Sequence, residues 1–389
     1  MQNILFILNG ISKNKGKVGI SGGDVRLMEI AKNTDGLRVY FLTTPNGKEL
    51  LELYGLKKYK KYIINTNNSF GLIANLKTSL YSLLFIPHAL DDYNGIVYSS
   101  CEHLYDVLPA LRLKILNKCR WYAVYHWVED YPWIEKRGGT PFVRRYLYWL
   151  NRWFSGVLIK YFSDSILAVS EQTKNKLIRI KHINSKKIKA VYCGVNYEKI
   201  NLIIHKYENE KGKKYDAIYM KRLDFGKGIL DLLKIWKIVV DSKNNAVLGV
   251  IGEGSDTAVV KIKKFIHDNN LGKNIKLLGP LYDFEEKFRV INSSKLFILP
   301  SHEENWAIVI GEAMAARVPI IAYDLKEIKP IWKNNVIWVN KGNISEFSYK
   351  IIYYLFHPEK LKKIVNNAQD FVKFYDWKRI ASIEFINKH

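Results

Sequence analysis

The chain has 389 residues, of which 48% are hydrophobic and 25% charged, and 61 Lys and Arg against 37 Asp and Glu give a formal net charge of +24. This composition excludes a disordered or fibrous chain and favours a globular protein of two or three domains. Its longest apolar stretches fall short of the roughly 20 residues of a membrane span, and no basic, cleavable leader precedes the first of them.

The positive charge indicates affinity for phosphate groups, whether of nucleic acid, anionic lipid or a phosphorylated small molecule. A chain-wide enrichment in Lys, Ile, Asn and Tyr explains the charge equally well. Three cysteines, Cys101, Cys119 and Cys193, lie far apart without the spacing of a zinc site. We therefore expect reduced core cysteines, no metal, and a cytoplasmic protein that begins near Met1.

Short β-like runs alternate with helical patterns along the whole chain. In the first half they occupy 4–8, 37–42, 95–100, 121–126 and 165–170, and in the second half 215–220, 246–251, 275–279, 296–301 and 319–323. Such alternation predicts parallel sheets covered by crossover helices. The sequence therefore predicts two α/β domains in tandem.

The polar stretch 201–214 is typical of a linker. We place an N-terminal domain at 1–200, a C-terminal domain at 201–370 and a final helix at 371–389.

The turn SGGD at 21–24 precedes the first helical pattern. Gly22 and Gly23 let a backbone approach a ligand closely, and Asp24 is suited to cap the following helix. A long loop after a strand contains Gly-Gly for other reasons too, so this turn alone is weak evidence for a binding site.

The stretch YMKRLDFGKG at 219–228 runs from a strand into a loop with Lys221, Arg222 and Lys227. A guanidinium fork beside an ammonium group is the combination expected around a diphosphate. A solvated basic loop is the alternative in so basic a chain. The later turn IGEG at 251–254 has too few glycines to predict a dinucleotide site by itself.

The segment HEENWAIVIGEAMA at 302–315 carries two glutamates eight positions apart. Glu304 lies in the turn after a buried strand, and Glu312 lies about 12 Å further along a helix at 1.5 Å per residue. That separation suits a ligand with a polar group at each end and an anion between them, met by the amides near 305–308. A nucleotide diphosphate sugar has this layout. A solvated acidic pair is the common alternative, but the neighbours of Glu312 are apolar.

Several of these motifs, in this order, resemble those of family 4 glycosyltransferases, which have the GT-B fold. The resemblance runs from 164–178 and 191–200 in the first half, through 219–233, 249–254 and 295–315, to FYDWKRIA at 374–381. It implies two Rossmann-like domains facing across a cleft, with a C-terminal helix that crosses back to the N-terminal domain.

The resemblance also implies roles for individual residues. Arg222 and Lys227 match the positions that bind the diphosphate, Glu304 the position at the sugar and Glu312 the position at the ribose. Gly22 and Gly23 match the loop of the first domain that approaches the diphosphate, and His126 matches a histidine near the sugar. The implied catalytic residues are His126, Arg222, Lys227 and Glu304, and the implied donor-binding residues are Gly22, Gly23, Arg222, Lys227, Glu304, Asn305, Trp306, Ala307 and Glu312.

Two departures concern the backbone of the donor site, because Asn305 and Ala307 stand where the family usually has glycine. Members of the family retain the anomeric configuration without a metal, and this chain has no D-x-D triplet. We expect no cofactor, with Arg222 and Lys227 stabilising the leaving diphosphate.

For the acceptor, the basic, aromatic stretch 144–162 is typical of a helix at an anionic membrane surface, although its apolar stripe also suits packing on the sheet. We expect a peripheral enzyme on the cytoplasmic face of the membrane that moves a hexose, from a UDP-sugar rather than a GDP-sugar, to a lipid-linked oligosaccharide for protein glycosylation. Synthesis of a surface polysaccharide or glycolipid is the first alternative. A basic, non-catalytic protein that binds nucleic acid is the remote one, and no nucleic-acid-binding signature supports it.

Overall fold

The computed structural model describes residues 2–14, 17–66, 72–128, 131–133, 141–209 and 212–386. The chain divides into two compact units, one of Met1–Cys193 with Trp377–His389 and one of Gly194–Asp376. Each is an α/β unit built on a parallel sheet. Among the described residues, no helix has both the length and the apolar character needed to cross a membrane.

The first unit contains a seven-stranded parallel sheet in the order β5-β4-β1-β6-β7-β8-β9 and a small antiparallel hairpin, β2-β3. Its strands are β1 (Gln2–Leu8), β2 (Lys13–Asn14), β3 (Lys17–Val18), β4 (Leu37–Thr43), β5 (Lys60–Ile63), β6 (Ile96–Ser99), β7 (Arg120–Tyr125), β8 (Ser165–Ala168) and β9 (Ile188–Ala190). Its helices are α1 (Gly22–Lys32), α2 (Pro45–Leu53), α3 (Leu72–Leu84), α4 (Leu104–Asn117), α5 (Phe142–Phe162) and α6 (Glu171–Lys181), together with the last helix of the chain, α15 (Trp377–Ile386). The central strands are continuous apolar runs because helices cover both faces of a parallel sheet.

The second unit contains a six-stranded parallel sheet in the order β12-β11-β10-β13-β14-β15. Its strands are β10 (Tyr215–Met220), β11 (Leu248–Ile251), β12 (Ile275–Gly279), β13 (Ser294–Leu299), β14 (Ile320–Tyr323) and β15 (Ile337–Val339). Its helices are α7 (Tyr197–Lys206), α8 (Ile229–Ser242), α9 (Asp256–Asp268), α10 (Phe284–Asn292), α11 (Ile308–Ala315), α12 (Lys329–Trp332), α13 (Ile344–Phe356) and α14 (Lys362–Val372). In order of appearance the strands run 3-2-1-4-5-6, the arrangement of a Rossmann sheet, and the first unit extends that order by one strand.

The prediction of two parallel-sheet, Rossmann-like domains is confirmed, and a strand lies at each predicted run. The patterns missed the short hairpin β2-β3 and, in the two parallel sheets, the strands β5, β9 and β15, each of which lies at an edge of its sheet. Edge strands are short and half-covered, so they lack the apolar run of a central strand. The predicted linker was partly wrong, because residues 201–206 continue α7, whose apolar face of Ile200, Ile203 and Ile204 is buried.

A buried ion cluster attaches α15 to the rest of the first unit. The Arg26 guanidinium of α1 forms an ion pair with Glu384 of α15, and both side chains are only 1% exposed. Arg26 also donates to the hydroxyl of Tyr98 (2.7 Å), which in turn donates to the second carboxylate oxygen of Glu384 (2.6 Å). The carbonyl of Tyr192 accepts from Arg26 Nε at 3.3 Å. Both carboxylate oxygens therefore have donors, as buried charges require.

Candidate functional site

The candidate donor site of the second unit lies where two central strands of its sheet end. β10 and β13 are neighbours, and their connections leave in opposite directions along the sheet. In open α/β sheets, ligands bind at the carboxyl ends of the strands beside such a switch point. The loop 221–228 follows β10, and the loop 300–307 follows β13.

A buried carboxylate between two lysines joins these loops. Glu304 Oε2 accepts a hydrogen bond from Lys221 Nζ at 2.9 Å, and Lys227 Nζ lies 3.5 Å from Glu304 Oε1. Lys227 Nζ also donates to the carbonyl of Glu303 at 2.6 Å. Among the described residues, the buried Oε1 of Glu304 accepts no hydrogen bond of ordinary length, although Lys227 lies near it and the Ser301 side chain also bonds to the Glu304 carboxylate. A buried acceptor without a donor indicates a place for a ligand or a water molecule.

The charges of this cluster are coupled. Burial alone would raise the pKa of Glu304, but the ammonium groups of Lys221 and Lys227 hold it below its ordinary value. Burial lowers the pKa of Lys221, and Glu304 opposes that effect only in part. Two ammonium groups face one carboxylate, so the cluster has one positive charge in excess. A diphosphate placed beside it would compensate that excess.

The two predicted cations of the first loop are placed differently. Lys227 belongs to the cluster, whereas the Arg222 side chain is 75% exposed and pairs with Asp224 at 3.2 Å. Lys221 is the second cation of the cluster, and the predicted role of Arg222 at a diphosphate stays a prediction. Neighbouring residues at a strand end point in opposite directions, so one of the pair Lys221 and Arg222 turns inward and the other outward. Sequence alone did not show which.

The backbone of the loop 221–228 lies in close contact with the loop 300–307 and with the turn 251–254. Gly228 has φ +76°, and a Cβ there would lie 1.7 Å from the carbonyl oxygen of Pro300. Gly252, in the turn IGEG, has φ +141°, and a Cβ there would lie 1.9 Å from the carbonyl oxygen of Lys221. Only glycine fits either position. The IGEG turn therefore packs directly against the backbone of the loop 221–228.

The second loop leads into α11, whose N-cap residue Ala307 is left-handed at φ +56°. This is the position where the resemblance expects glycine, and a left-handed conformation explains that preference. Trp306 is turned into the unit, with its ring 5.8 Å from that of Trp332 and 5.6 Å from that of Tyr375. Trp306 therefore packs in the interior, and Asn305 beside it is partly buried.

Glu312 lies in the second turn of α11, as predicted, and has a partner that sequence reasoning missed. Its Oε1 accepts a hydrogen bond from Lys287 Nζ of α10 at 2.9 Å. The same ammonium group lies 4.5 Å from the ring centre of Phe288 and 5.3 Å from that of Phe284. The Glu312 side chain is 16% exposed, and its predicted role at a ribose stays a prediction.

In the first unit, the structure brings Gly23 and His126 together. A Cβ at position 23 would lie 3.1 Å from His126 Nε2, so the helix approaches the imidazole closely. Gly22 and Gly23 form the first turn of α1 instead of the expected loop, and Ser21 is the N-cap in place of Asp24. Asp24 has the reciprocal role in this capping box, since its carboxylate accepts from the backbone N–H of Ser21 at 2.7 Å.

His126 is held by polar groups that the sequence patterns missed. Its Nε2 lies 2.9 Å from the carbonyl oxygen of Ser100, and its backbone N–H donates to Glu102 at 3.0 Å. Burial lowers the pKa of His126, although Glu102 opposes that effect. The neutral imidazole therefore donates from Nε2 to Ser100. Its role at a donor sugar stays a prediction.

Arg152 of α5 belongs to the same cluster. Its guanidinium lies 3.5 Å from Glu102 and donates to His103 Nε2 at 3.2 Å. The expected basic face of 144–162 thus loses Arg152, which is turned inward. Within the described residues, no group of three or more His, Cys, Asp and Glu side chains is arranged to hold a metal ion.

Residues 201–371 match the family model described as "Glycosyl transferases group 1". The chain is 27% identical over 243 residues to an uncharacterised glycosyltransferase of Methanocaldococcus jannaschii, covering 58% of this chain and 59% of that relative. It is 28% identical over 169 residues to the capsular polysaccharide biosynthesis glycosyltransferase CapM of Staphylococcus aureus, covering 41% and 43%. The chain thus matches less than two thirds of the length of these curated relatives.

Two solved structures share the fold over nearly the whole chain. Anabaena HepE, solved in complex with UDP and glucose, has a TM-score of 0.72 at 17% identity and 100% coverage of both chains. Sucrose-phosphate synthase of Thermosynechococcus elongatus has a TM-score of 0.76 at 17% identity, covering 99% of this chain and 97% of that one. The fold is that of the GT-B glycosyltransferases. Residues 201–371 are similar to the glycosyl transferases group 1 domain, and the chain has glycosyltransferase relatives.

Proposed function

We propose that the protein is a retaining family 4 glycosyltransferase that moves a hexose from a nucleotide diphosphate sugar to a lipid-linked glycan. The observation that carries the proposal is the cluster of Lys221, Glu304 and Lys227 at the switch point of the second sheet. Its excess positive charge suits a diphosphate, and its buried carboxylate oxygen without a donor suits a sugar hydroxyl.

The other parts of the donor site follow α11. Its N-terminal amide groups and the helix dipole favour the diphosphate beside the lysines. Glu312, one turn beyond the start of α11, accepts hydrogen bonds from the ribose diol at the other end of the ligand. Lys221 and Lys227 then stabilise the charge that develops on the leaving diphosphate, so we also propose that transfer needs no metal. Activity that survives saturating EDTA would agree with this role, and strict dependence on a divalent cation would contradict it.

A UDP-sugar is the proposed donor. This choice is supported by Anabaena HepE, which shares the fold and was solved in complex with UDP and glucose. Melting temperatures with UDP, GDP and ADP, each beside its monophosphate, test it. A ligand at about 100 times its Kd adds about 2.7 kcal/mol to the stability of the folded protein, which a melting curve resolves.

Glu312→Ala gives the site-specific arm of this experiment. UDP should stabilise the wild type more than UMP, and Glu312→Ala should lose most of that stabilisation. Glu346→Ala is the matched control, because Glu346 of α13 also pairs with a lysine, Lys350, at 3.0 Å. Equal stabilisation by every polyanion, or an unchanged response of Glu312→Ala, would contradict the proposal and favour a non-specific basic protein.

The acceptor proposal has its support in the first unit. α3 and α5 expose apolar side chains, and Leu76, Leu147, Leu150, Trp153 and Phe154 line one groove between them. Arg144 near the start of α5 is exposed, and Arg145 beside it is partly buried. Apolar, aromatic and basic side chains on one surface suit the interface of an anionic membrane. This surface supports a peripheral enzyme at the cytoplasmic face of the membrane and an acceptor on a lipid carrier.

The kind of glycan is better supported for the surface-polysaccharide alternative than for protein glycosylation. CapM of Staphylococcus aureus and the O-antigen chain mannosyltransferase RfbU of Salmonella typhimurium, both named for surface polysaccharides, are relatives. We therefore place the acceptor among lipid-linked intermediates of a surface polysaccharide. Trp153→Ser should weaken binding to anionic vesicles, and Tyr349→Ser, which removes an exposed aromatic ring of the second unit, should not. If the wild type binds neutral and anionic vesicles equally, and Trp153→Ser binds them as the wild type does, the membrane proposal is overturned.

A further inference from the structure

A histidine in the donor loop is held by a carboxylate and a tyrosine. His302 Nε2 lies 2.9 Å from Asp231 Oδ2, and the Tyr323 hydroxyl donates to the same oxygen at 2.8 Å. Asp231 is in the first turn of α8, Tyr323 is the last residue of β14, and His302 follows β13. We call these three side chains the histidine bracket.

The bracket has a rigid base and an exposed end. Tyr323 is fully buried, and its ring packs edge-on against Phe347 with centroids 5.2 Å apart. The His302 side chain is about one third exposed and its ring lies 5.5 Å from that of Tyr323. Burial alone would raise the pKa of Asp231, but the bonds from His302 and Tyr323 hold it below its ordinary value. Asp231 is therefore an anion that fixes the imidazole.

His302 is also attached to both loops of the donor site through its backbone. Its N–H donates to the carbonyl of Gly226 at 3.0 Å, next to Lys227. Two residues after His302 comes Glu304, and the carbonyl of the intervening Glu303 accepts from Lys227. Movement of His302 therefore displaces both Glu304 and Lys227. No other imidazole among the described residues connects these two loops.

We propose that His302 is a positioning residue, held by Asp231 and Tyr323, which fixes Glu304 and Lys227 at the spacing that binds a nucleotide diphosphate. The inference rests on the proposed function. The bracket contributes no reacting group, and it acts by keeping the two loops in one arrangement before the ligand arrives. Preorganised groups lose less freedom on binding, so the bracket strengthens binding of the diphosphate.

His302→Leu and His302→Gln test the bracket as a pair. The glutamine amide nitrogen takes the place of Nε2 and donates to Asp231, whereas leucine leaves Asp231 without that bond. His302→Leu should weaken UDP binding about tenfold and raise the KM for the donor more than it lowers kcat. His302→Gln should restore affinity to within about threefold of the wild type. In His302→Leu, the Kd for UMP should change much less than the Kd for UDP.

His267→Leu is the matched control, because His267 pairs with Asp268 at 3.3 Å near the end of α9, which leads into the edge strand β12 and not into a donor loop. It should leave the Kd for UDP unchanged. If His302→Leu does not fold, Tyr323→Phe removes the other bond to Asp231 and should weaken UDP binding about threefold.

Three outcomes decide the matter. Weaker UDP binding in His302→Leu with rescue by His302→Gln supports the bracket. Wild-type affinity in a folded His302→Leu, or equal loss in His302→Leu and His302→Gln, overturns the bracket and leaves the proposed function standing. A wild-type protein that binds no nucleotide diphosphate overturns the proposed function, and the bracket with it.

Discussion

Each unit contains a buried ion cluster, and the two clusters differ in whether their hydrogen bonds are complete. In the first unit, Arg26, Tyr98 and Glu384 satisfy one another, and the two charged side chains are 1% exposed. In the second unit, Lys221 and Lys227 are 16% and 17% exposed, and one oxygen of the carboxylate between them has only the Lys227 ammonium at 3.5 Å and no hydrogen bond of ordinary length. The first cluster is closed and the second is open.

This difference separates a structural role from a binding role. A closed cluster offers no atom to a ligand, so its charges act only on the folded state. An open cluster with excess charge has unsatisfied groups that a ligand of opposite charge can pair with. We therefore expect substitutions in the closed cluster to change stability, and substitutions in the open cluster to change affinity.

The largest expected effect is in the closed cluster. Glu384→Gln leaves the Arg26 guanidinium buried without its counter-charge, and breaking such a pair costs about 3–5 kcal/mol. Chemical denaturation should show this loss of unfolding free energy. The variant that remains folded should bind UDP with wild-type affinity, and the double variant Arg26→Met with Glu384→Leu should recover part of the stability. A Glu384→Gln variant as stable as the wild type would contradict the structural role of this cluster.

The next effect depends on pH and concerns His103 in the first unit. Burial, and then Arg152, lower the pKa of His103 to about 4 from its ordinary 6.5. Because the folded pKa is the lower one, the contribution of His103 to stability is present above pH 6.5 and is lost as the pH falls through about 4. At about 1.4 kcal/mol per pH unit the loss reaches up to about 3 kcal/mol.

His103→Gln has no imidazole to protonate, so its unfolding free energy should fall less than that of the wild type between pH 7 and pH 4. Denaturant titrations at both pH values measure the difference. Parallel pH profiles for the two proteins would show that His103 titrates alike in the folded and unfolded chain. A pH effect confined to stability, with no change in UDP affinity, would sharpen the contrast between the units.

Within the donor loops, Lys227 and Arg222 give a third test. A hydrogen bond to a charged group contributes about 1.5–3 kcal/mol, which corresponds to a tenfold or larger change in affinity. Lys227→Met should therefore weaken UDP binding at least tenfold. Arg222→Ala removes an exposed side chain paired with Asp224 and should weaken it less than threefold. Calorimetric titration of both variants checks the order, and a reversed order would place Arg222 at the diphosphate.

The smallest effect concerns the left-handed Ala307. Glycine at this position relieves about 1–2 kcal/mol of backbone strain. It also costs about 0.5–1 kcal/mol in backbone entropy and about 0.8 kcal/mol for the lost methyl group. Ala307→Gly should therefore change the unfolding free energy by less than about 1 kcal/mol, whereas Ala307→Val should destabilise the protein clearly. Equal tolerance of both substitutions in thermal melts would mean that the loop is not fixed at this residue.

Most of the fold could be predicted from the sequence because buried parallel strands are apolar on both faces. The runs at 4–8 and 215–220, for example, form the central strands β1 and β10. Edge strands such as β5, with the sequence KKYI, lack that signal. The continuation of α7 through residues 201–206 was missed because it was grouped with the charged run at 206–214 that follows it, although its isoleucines recur at helical spacing.

The candidate site was predicted only in part. Lys227, Glu304 and Glu312 lie in motifs whose order along the chain predicted a donor site. The sequence could not show whether Lys221 or Arg222 joins the buried cluster, because that depends on which of the two adjacent side chains faces the core. Trp306 was predicted to bind the donor, and the sequence did not show that its ring packs on Trp332, which leaves that predicted role to its backbone amide. Long-range partners such as Lys287 and Asp231 leave no local pattern.

The measurement that tests the central claim most directly is made on Lys221→Met. Lys221→Met removes the ammonium group that bonds Glu304, but Lys227 remains beside that carboxylate, and burial of the Lys221 charge outweighs its attraction to Glu304, so the variant should lose less unfolding free energy than Glu384→Gln. The account predicts this smaller loss together with at least tenfold weaker UDP binding. A variant that loses as much stability as Glu384→Gln and binds UDP as the wild type does would contradict it, because the cluster in the second unit would then be as structural as the one in the first.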